Sequence, residues 1–418
     1  MASTEDTVLG IVLMARHGDR EGFYQDPATY TASQTAITPL GENQEFQLGS
    51  LIRSRYLDPA SPTYIRGISN STSLLQSNQI AVRADAGDEG GVIFDSAIAL
   101  LQGLFPATPL SNTRLANGTT ITSPLGGYQY VAIESVEANQ DVSLEGFTSC
   151  PWNIFDYMNV QSIHNETFAQ NLPATFLAQA RDLANYHEYG VFSDTEFGGI
   201  GNIAARTMLP SILTAFQRIA NASDPLKLHY SSISYKPFVS FFNMTGVTSN
   251  GELPQAIVNY AGTVVMEVRQ PASGGEPVLR FNFKNGTDDA DYTAHSMKFV
   301  GWDGDGDVPL STFLTAFEPA AINTTLQWCG ICNQTVLRGC SSLLAPVPAS
   351  IASVHHDRIS PVGAGFLGAG LTAAVFLMAF AVLFFLGVLS FGGKKKRHAG
   401  REGSDGSESD SFNKDHKV

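Results

Sequence analysis

Arg16, His17 and Arg20 fall within five residues of one another, in the run Arg16-His17-Gly18-Asp19-Arg20. Side chains of these types at this spacing suit phosphoryl transfer. An imidazole can attack phosphorus and hold the phosphoryl group as a phosphohistidine, which splits a hydrolysis into two easier displacements. Flanking guanidiniums grip phosphate oxygens in bidentate fashion and offset the charge that develops in the transition state. Gly18 would let the backbone approach the phosphoryl group. A five-residue match on an open surface would mean little, so the elements that carry it decide its weight.

Those elements are consistent with a site. Val8–Met14 is an unbroken apolar run leading into Arg16, the pattern of a strand buried on both faces in the centre of an α/β sheet. Ligands of such sheets bind beyond the carboxyl ends of the strands, where Arg16 to Arg20 falls. Thr38-Pro39 opens a helix whose apolar positions Leu48, Leu51, Ile52 and Tyr56 keep the helical period. Phe94, Ala97, Ile98 and Leu101 form a second stripe, closed by Gly103 and Pro106. Residues from about 110 to 225 are heterogeneous, with helical stretches at Leu172–Leu183 and Ile200–Ile219, and read as an insertion or cap. Leu226–Ser232 and Ile257–Val268 read as returning strands.

Five ordered pieces, ARHGDR (15–20), ITPLGENQEFQLGSLIRSRY (37–56), VRAD (82–85), SAIALLQGLFP (96–106) and VPLSTF (308–313), carry a family likeness. On them the chain resembles the histidine acid phosphatase branch of the phosphoglycerate-mutase-like superfamily, over roughly residues 7 to 340. The resemblance implies an α/β sandwich with a mixed, mostly parallel central sheet, a largely helical insertion, and no metal or other cofactor. It implies His17 as nucleophile and Arg16 and Arg20 as phosphate ligands. Two positions depart from the pattern. The family's further phosphate-binding arginine falls four residues before Ser96-Ala97, on Val92; Arg83 could reach inward across the glycine-rich loop 86–91, or serve a solvated surface. The family's His-Asp pair, whose Asp protonates the leaving group, falls on Ile233-Ser234. Loss of that donor would cost an alkoxide leaving group roughly 10²–10⁴-fold in rate. Asp19, Asp88 and Glu89 are carboxyls near the expected pocket mouth that could replace it, and His229 could be a displaced phosphate ligand or a satisfied core residue.

The wider chain sets the context. It has 418 residues, 43% hydrophobic and 15% charged, with a formal net charge of −14. That acidic balance argues against nucleic acid as a partner and leaves room for a small phosphorylated substrate or ligand. Residues 361–391 contain no charge and are mostly Leu, Ala, Val, Phe and Gly, followed by Lys394-Lys395-Lys396-Arg397. A helix needs about 20 such residues to cross the bilayer, and the basic flank faces the cytosol. The expected layout is therefore a domain over 1–344, a stalk over 345–360, a transmembrane helix over 361–391 and a disordered tail over 392–418. The domain would then be luminal or extracellular. Asn-x-Ser/Thr sequons at Asn70, Asn117, Asn165, Asn221, Asn243, Asn285, Asn323 and Asn333 all precede the span, as such a glycoprotein would have them. Cys150, Cys329, Cys332 and Cys340 suggest two disulfides with three possible connectivities. Met1–Thr7 shows neither the basic nor the apolar region of a signal peptide, so either the start lies upstream or the domain is cytosolic. Asp303–Asp307 begins like a calcium loop but has Val308 where glycine is needed. The leading expectation is a membrane-anchored phosphomonoesterase. The competing class is a non-catalytic phosphatase-like domain binding a phosphorylated ligand or a surface partner, and a mutase ranks third.

Overall fold

Ten residues, Thr7–Arg16, form strand β1, and every residue from Gly10 to Arg16 is buried, so apolar groups must cover both faces. The computed structural model describes residues 6–22, 35–68, 74–85, 91–135 and 150–345, with only the backbone of Cys150 and Pro151. The chain divides into two units after Ala345, and all described residues belong to the first. The other strands are β2 (Ile80–Ala84), β3 (Asn112–Arg114), β4 (Thr120–Thr122), β5 (Leu228–Ile233), β6 (Thr263–Gln270), β7 (Val278–Lys284), β8 (Thr293–His295) and β9 (Val308–Pro309). The helices begin with α1 (Pro39–Ile52), α2 (Val92–Leu104), α3 (Pro124–Gly127), α4 (Cys150–His164), α5 (Glu166–Asn171) and α6 (Ala174–Val191). They continue with α7 (Ile203–Ala220), α8 (Lys236–Thr245), α9 (Leu310–Phe317), α10 (Thr325–Ile331) and α11 (Cys340–Leu344).

The main sheet runs β2-β5-β1-β6-β7-β8, with β9 beside β7. Alternation along β1 serves two cores. Ile11, Leu13 and Ala15 pack with Leu48, Ile52, Ile93, Ala97 and Leu100 of α1 and α2. Val12 and Met14 face the other way, onto Leu209 and Phe216 of α7, Phe238 and Phe241 of α8, and Phe313 and Phe317 of α9. Each of these side chains larger than alanine contributes roughly 1.5–3 kcal/mol of hydrophobic stabilisation, and the result is an α/β/α sandwich. At the seam between α1 and α2 the backbones nearly touch: a Cβ on Gly49 would stand 2.0 Å from the Leu100 carbonyl oxygen, and one on Gly103 would stand 2.1 Å from that of Phe46.

The sheet is mixed, as expected, but it is not mostly parallel. Only the β1–β5 and β2–β5 pairs are parallel; β1–β6, β6–β7, β7–β8 and β7–β9 are antiparallel. For β6–β7 the cause is the short link 271–277, which can make a hairpin but not a crossover. The stretch read as a cap divides. α4 and α6 bring Trp152, Phe155, Ala180 and Ala184 to the edge of the core, whereas α7 lies directly on the sheet, its buried face running from Ala204 to Ile219. β6 begins six residues later than read, at Thr263, because Ala261 takes φ 55° and turns the preceding segment into a loop.

Of the four cysteines, Cys329 and Cys340 form a disulfide and Cys332 is a free thiol, while the side chain of Cys150 lies outside the described residues. Asp303–Asp307 is a bend whose last carboxylate takes the Arg280 fork at 2.8 and 2.9 Å. Of the sequons, Asn243 has its amide turned inward on α8, donating to the Asp194 carbonyl at 2.8 Å and to Asn202 Oδ1 at 3.0 Å. The expected transmembrane helix, stalk and tail, together with Asp88, Glu89 and Asn70, lie outside the described residues. Among those described, no helix is long and apolar enough to cross a membrane.

Candidate active site

β1 ends beside β5, with Arg16 opposite Ile233, and the chain then leaves the sheet at His17. Backbone bonds hold this corner on three sides. His17 N–H donates to the Ile233 carbonyl at 3.2 Å, its own carbonyl accepts from Ala261 N–H at 3.1 Å, and Arg16 N–H donates to Gly262 at 2.9 Å. Gly18 N–H donates to Ser96 Oγ of α2 at 3.1 Å, and Asp19 N–H to Gln44 Oε1 of α1 at 2.9 Å. The structure gives Gly18 a reason different from the one read in sequence: a Cβ there would stand 2.5 Å from the Gly41 carbonyl oxygen, so the glycine lets α1 seat against the corner.

His17 is fully buried. Its Nδ1 lies 2.8 Å from the Gly18 carbonyl oxygen. A carbonyl can only accept, so Nδ1 carries the proton and the Nε2 lone pair is the nucleophilic one. The Arg16 guanidinium donates to the Val258 carbonyl at 2.5 Å. It lies 4.4 Å from the Tyr260 ring centre, 5.4 Å from that of Tyr235 and 6.0 Å from that of Trp152, an aromatic box that suits a cation. Tyr235 is itself fixed by donating to Glu188 Oε2 of α6 at 2.7 Å. Arg20, also fully buried, holds Asp156 of α4 end-on, Nη2 to Oδ1 at 3.1 Å and Nη1 to Oδ2 at 3.2 Å. A phosphate at His17 would have to share Arg20 with that carboxylate or displace it.

Arg16, Trp152, Asp156, Arg181, Asn259 and Tyr260 line a cleft of about 200 Å³. On the other flank of α4 a depression of about 450 Å³ is lined by Glu21, Thr38, Tyr157, Gln161 and His164. We place the site at the smaller cleft, because Arg16 and Asp156 open onto it. Asp19 reaches the larger one indirectly: its carboxylate accepts from Thr38 Oγ1 and from His164 Nε2, the latter at 2.7 Å.

The structure thus brings Arg16, His17, Asp19 and Arg20 together. Arg83 sits elsewhere, on β2 opposite Ser231 and two residues short of the level of Arg16 and Ile233. There its charge acts on His229, whose pKa is lowered to about 4, first by burial and then by Arg83 and Arg218. Val92, where the family's arginine would fall, is a fully buried apolar residue opening α2. Ile233 belongs to the core, and Ser234 is buried with no hydrogen-bond partner for its hydroxyl among the described residues. Sequence reading missed Trp152, Asp156, His164, Arg181 and Tyr260. Each comes from a segment more than 130 positions away from Arg20, with no local motif to mark it. Among the described residues no three His, Cys, Asp or Glu side chains converge as a metal site.

No protein-family model matches the chain. Among characterised proteins it is similar to the prostatic acid phosphatase of Mus musculus, 27% identical over 191 residues, which is 44% of this chain and 44% of that protein. The Bos taurus prostatic acid phosphatase is 27% identical over 187 residues, 43% of this chain and 42% of the relative; the matched region thus spans less than half the length of either. Among solved structures, Hafnia alvei phytase in complex with tartrate superposes with a TM-score of 0.51 at 13% identity, covering 77% of this chain and 98% of the phytase. Klebsiella sp. ASR1 phytase gives a TM-score of 0.51 at 13% identity over 78% and 98%. The likeness to the histidine acid phosphatase branch read from the motifs stands, and the mixed-sheet α/β fold is the one those phytases share.

Proposed function

From this kinship and from the corner's geometry, we propose that the chain hydrolyses small phosphate monoesters through a phosphohistidine at His17. The observation that carries the reading is the His17 Nδ1–Gly18 carbonyl bond at 2.8 Å, which leaves the Nε2 lone pair as the nucleophile at the end of a buried strand, in the run that also carries Arg16 and Arg20. Attack by Nε2 on phosphorus expels the ester oxygen and leaves the phosphoryl group on the ring. Water then attacks phosphorus, breaks the P–N bond and releases phosphate. Arg16 and Arg20 supply charge stabilisation in a site screened from water, where it is strongest. Asp156 orients Arg20, and the cleft sets Arg16 and Arg181 against Asp156 and Asp288, so that cations reach a site on a chain whose net charge is −14.

Hydrolysis of 4-nitrophenyl phosphate by wild type and by His17→Ala tests this. The variant is expected to lose activity by about 10⁴-fold or more, as removal of a nucleophile does elsewhere. An activated leaving group needs little protonation, so the substitution at Ser234 does not blunt the assay. Turnover that persists in His17→Ala, or no turnover by wild type, would refute the reading. The second outcome would favour a phospho-ligand-binding module.

The same proposal places the enzyme on a membrane, with its catalytic unit luminal or extracellular. The charge-free stretch 361–391 with its basic flank supports this, as do the sequons and the Cys329–Cys340 disulfide of a kind that persists in oxidising compartments. Glycosidase treatment of the native protein should increase its gel mobility, and an unchanged band would exclude the luminal placement.

A further inference from the structure

The position that would hold the leaving-group acid is occupied by Ser234, whose buried hydroxyl is too weakly acidic to serve. Among the described residues the nearby carboxylates are engaged, Asp288 of the cleft lining by the Asn259 side-chain amide. Asp19 is turned toward Thr38 and His164, and Asp156 lies in the Arg20 fork, held by two charge-assisted bonds. Among the described residues one proton-bearing side chain both flanks His17 and faces the cleft. Tyr260 has its ring centre 5.5 Å from that of His17 and 4.4 Å from the Arg16 guanidinium, and it lines the cleft with Arg16, Asp156 and Arg181 while only partly buried.

Its placement is fixed from both sides. Val258 accepts from the Arg16 side chain at 2.5 Å, while Ala261 N–H donates to the His17 carbonyl at 3.1 Å and Gly262 accepts from Arg16 N–H at 2.9 Å. Ala261, next in sequence, is held at φ 55°, a conformation that costs a residue with a Cβ on the order of 1 kcal/mol and persists where the surroundings enforce it. The bonds from β1 enforce it here, and they set the ring of the preceding tyrosine beside that of His17.

We propose that Tyr260 is the proton donor of the reaction, its phenolic hydroxyl taking the part of the carboxyl that Ser234 replaces. The proposal rests on the reading of His17 as nucleophile. In the first step the Nε2–P bond forms and the P–O bond of the ester breaks, while the Tyr260 proton passes to the departing alkoxide. In the second step the tyrosinate takes a proton from the attacking water, the P–N bond breaks, and phosphate leaves with both side chains restored. Burial raises the Tyr260 pKa, and Asp156 and Asp19 add to the rise, while Arg20 and Arg16 oppose it. The phenol therefore stays protonated until an alkoxide, a stronger base still, is released beside it, and the two arginines then stabilise the tyrosinate.

The test compares a poor and a good leaving group, glycerol 2-phosphate and 4-nitrophenyl phosphate, in wild type, Tyr260→Phe and Asp19→Asn. Tyr260→Phe keeps the ring over Arg16, and its melting temperature, measured alongside, reports whether the fold is intact. We expect kcat/KM of Tyr260→Phe to fall by about 10²-fold or more on the glycerol ester. On the nitrophenyl ester the pre-steady-state burst of nitrophenol should stay within about threefold of wild type, with Asp19→Asn showing no such selectivity. Equal slowing on both esters assigns Tyr260 to packing and overturns the proposal, as does a leaving-group-selective loss confined to Asp19→Asn. Absence of His17-dependent turnover in wild type overturns the parent reading and this one together, whereas equal slowing overturns this one alone.

Discussion

Gly41, the third residue of α1, offers a way to move the active corner without touching a reactive group. A methyl there would stand 2.1 Å from the Asp19 carbonyl oxygen and 2.7 Å from Asp19 N, where a carbon–oxygen contact needs about 3.3 Å. Gly41→Ala must therefore drive α1 and the 17–20 corner apart by roughly 1 Å. Overpacking of this kind costs about 1–3 kcal/mol of stability. A displacement of about 1 Å at a reacting group costs about 10²-fold in rate. Gly103→Ala supplies the control. It places a methyl 2.1 Å from the Phe46 carbonyl oxygen of the same helix, seven residues along α2 from Ser96 and so about 10 Å from the Gly18 anchor. Urea denaturation should show both variants destabilised by comparable amounts. Initial rates on 4-nitrophenyl phosphate, taken where both are fully folded, should show the 10²-fold loss in Gly41→Ala only. Equal rate losses, or a wild-type rate in Gly41→Ala, would refute the claim that seating of α1 sets the position of His17.

Three further outcomes follow from buried groups and the disulfide. Glu45 is fully buried, neither carboxyl oxygen has a hydrogen-bond partner among the described residues, and burial holds its pKa well above the usual carboxylate range. The folded state then keeps a proton that the unfolded state releases above about pH 4.3, so Glu45 costs stability as pH rises; Glu45→Gln should match wild type near pH 4 and exceed it at pH 7 in thermal unfolding. His229 has the opposite sign, since the unfolded state takes up a proton near pH 6.5 that the folded state refuses until about pH 4. Wild type should lose up to about 3 kcal/mol across that window in chemical denaturation, and His229→Leu should flatten the loss. Cys329 and Cys340 are 11 positions apart, a loop whose closure is worth about 3 kcal/mol in the chain-entropy account; Cys329→Ser with Cys340→Ser should lower the melting temperature accordingly, and reductant should leave that double variant unaffected.

The sequence revealed the parts of the site that are local. The apolar run of β1 and the Arg-His-Gly that ends it are contiguous, and Thr38-Pro39 marks the start of α1, where Thr38 Oγ1 accepts from Gly41 N–H at 3.2 Å. What it did not reveal is what the fold assembles from a distance. The Arg20 fork closes on Asp156, 136 residues on, and nothing in the sequence around either one announces the partner. Tyr260 was hidden for another reason. It lies in a run of strand-like composition, and the αL turn at Ala261 that lifts it out of β6 is imposed by bonds from β1 rather than by local preference. α7 was read as a cap because periodicity gives a helix and its apolar stripe but not the surface that the stripe will meet.

Asn243 carries a consequence for how the protein is made. In a glycosylating compartment its sequon competes with folding for the same amide. A sugar attached there would prevent the bonds to Asp194 and Asn202 and leave α8 unable to dock. Both partners precede Asn243 in the chain, so they are already available when it emerges. The strand that packs on the other side of α8 ends at Lys284, and at about 5–20 residues per second it follows some 2–8 s later. Those seconds are the interval in which modification can win. A glycan at Asn243 would therefore mark molecules that missed their folding window, and a mature population should carry its sugars at the exposed sequons and none at this one.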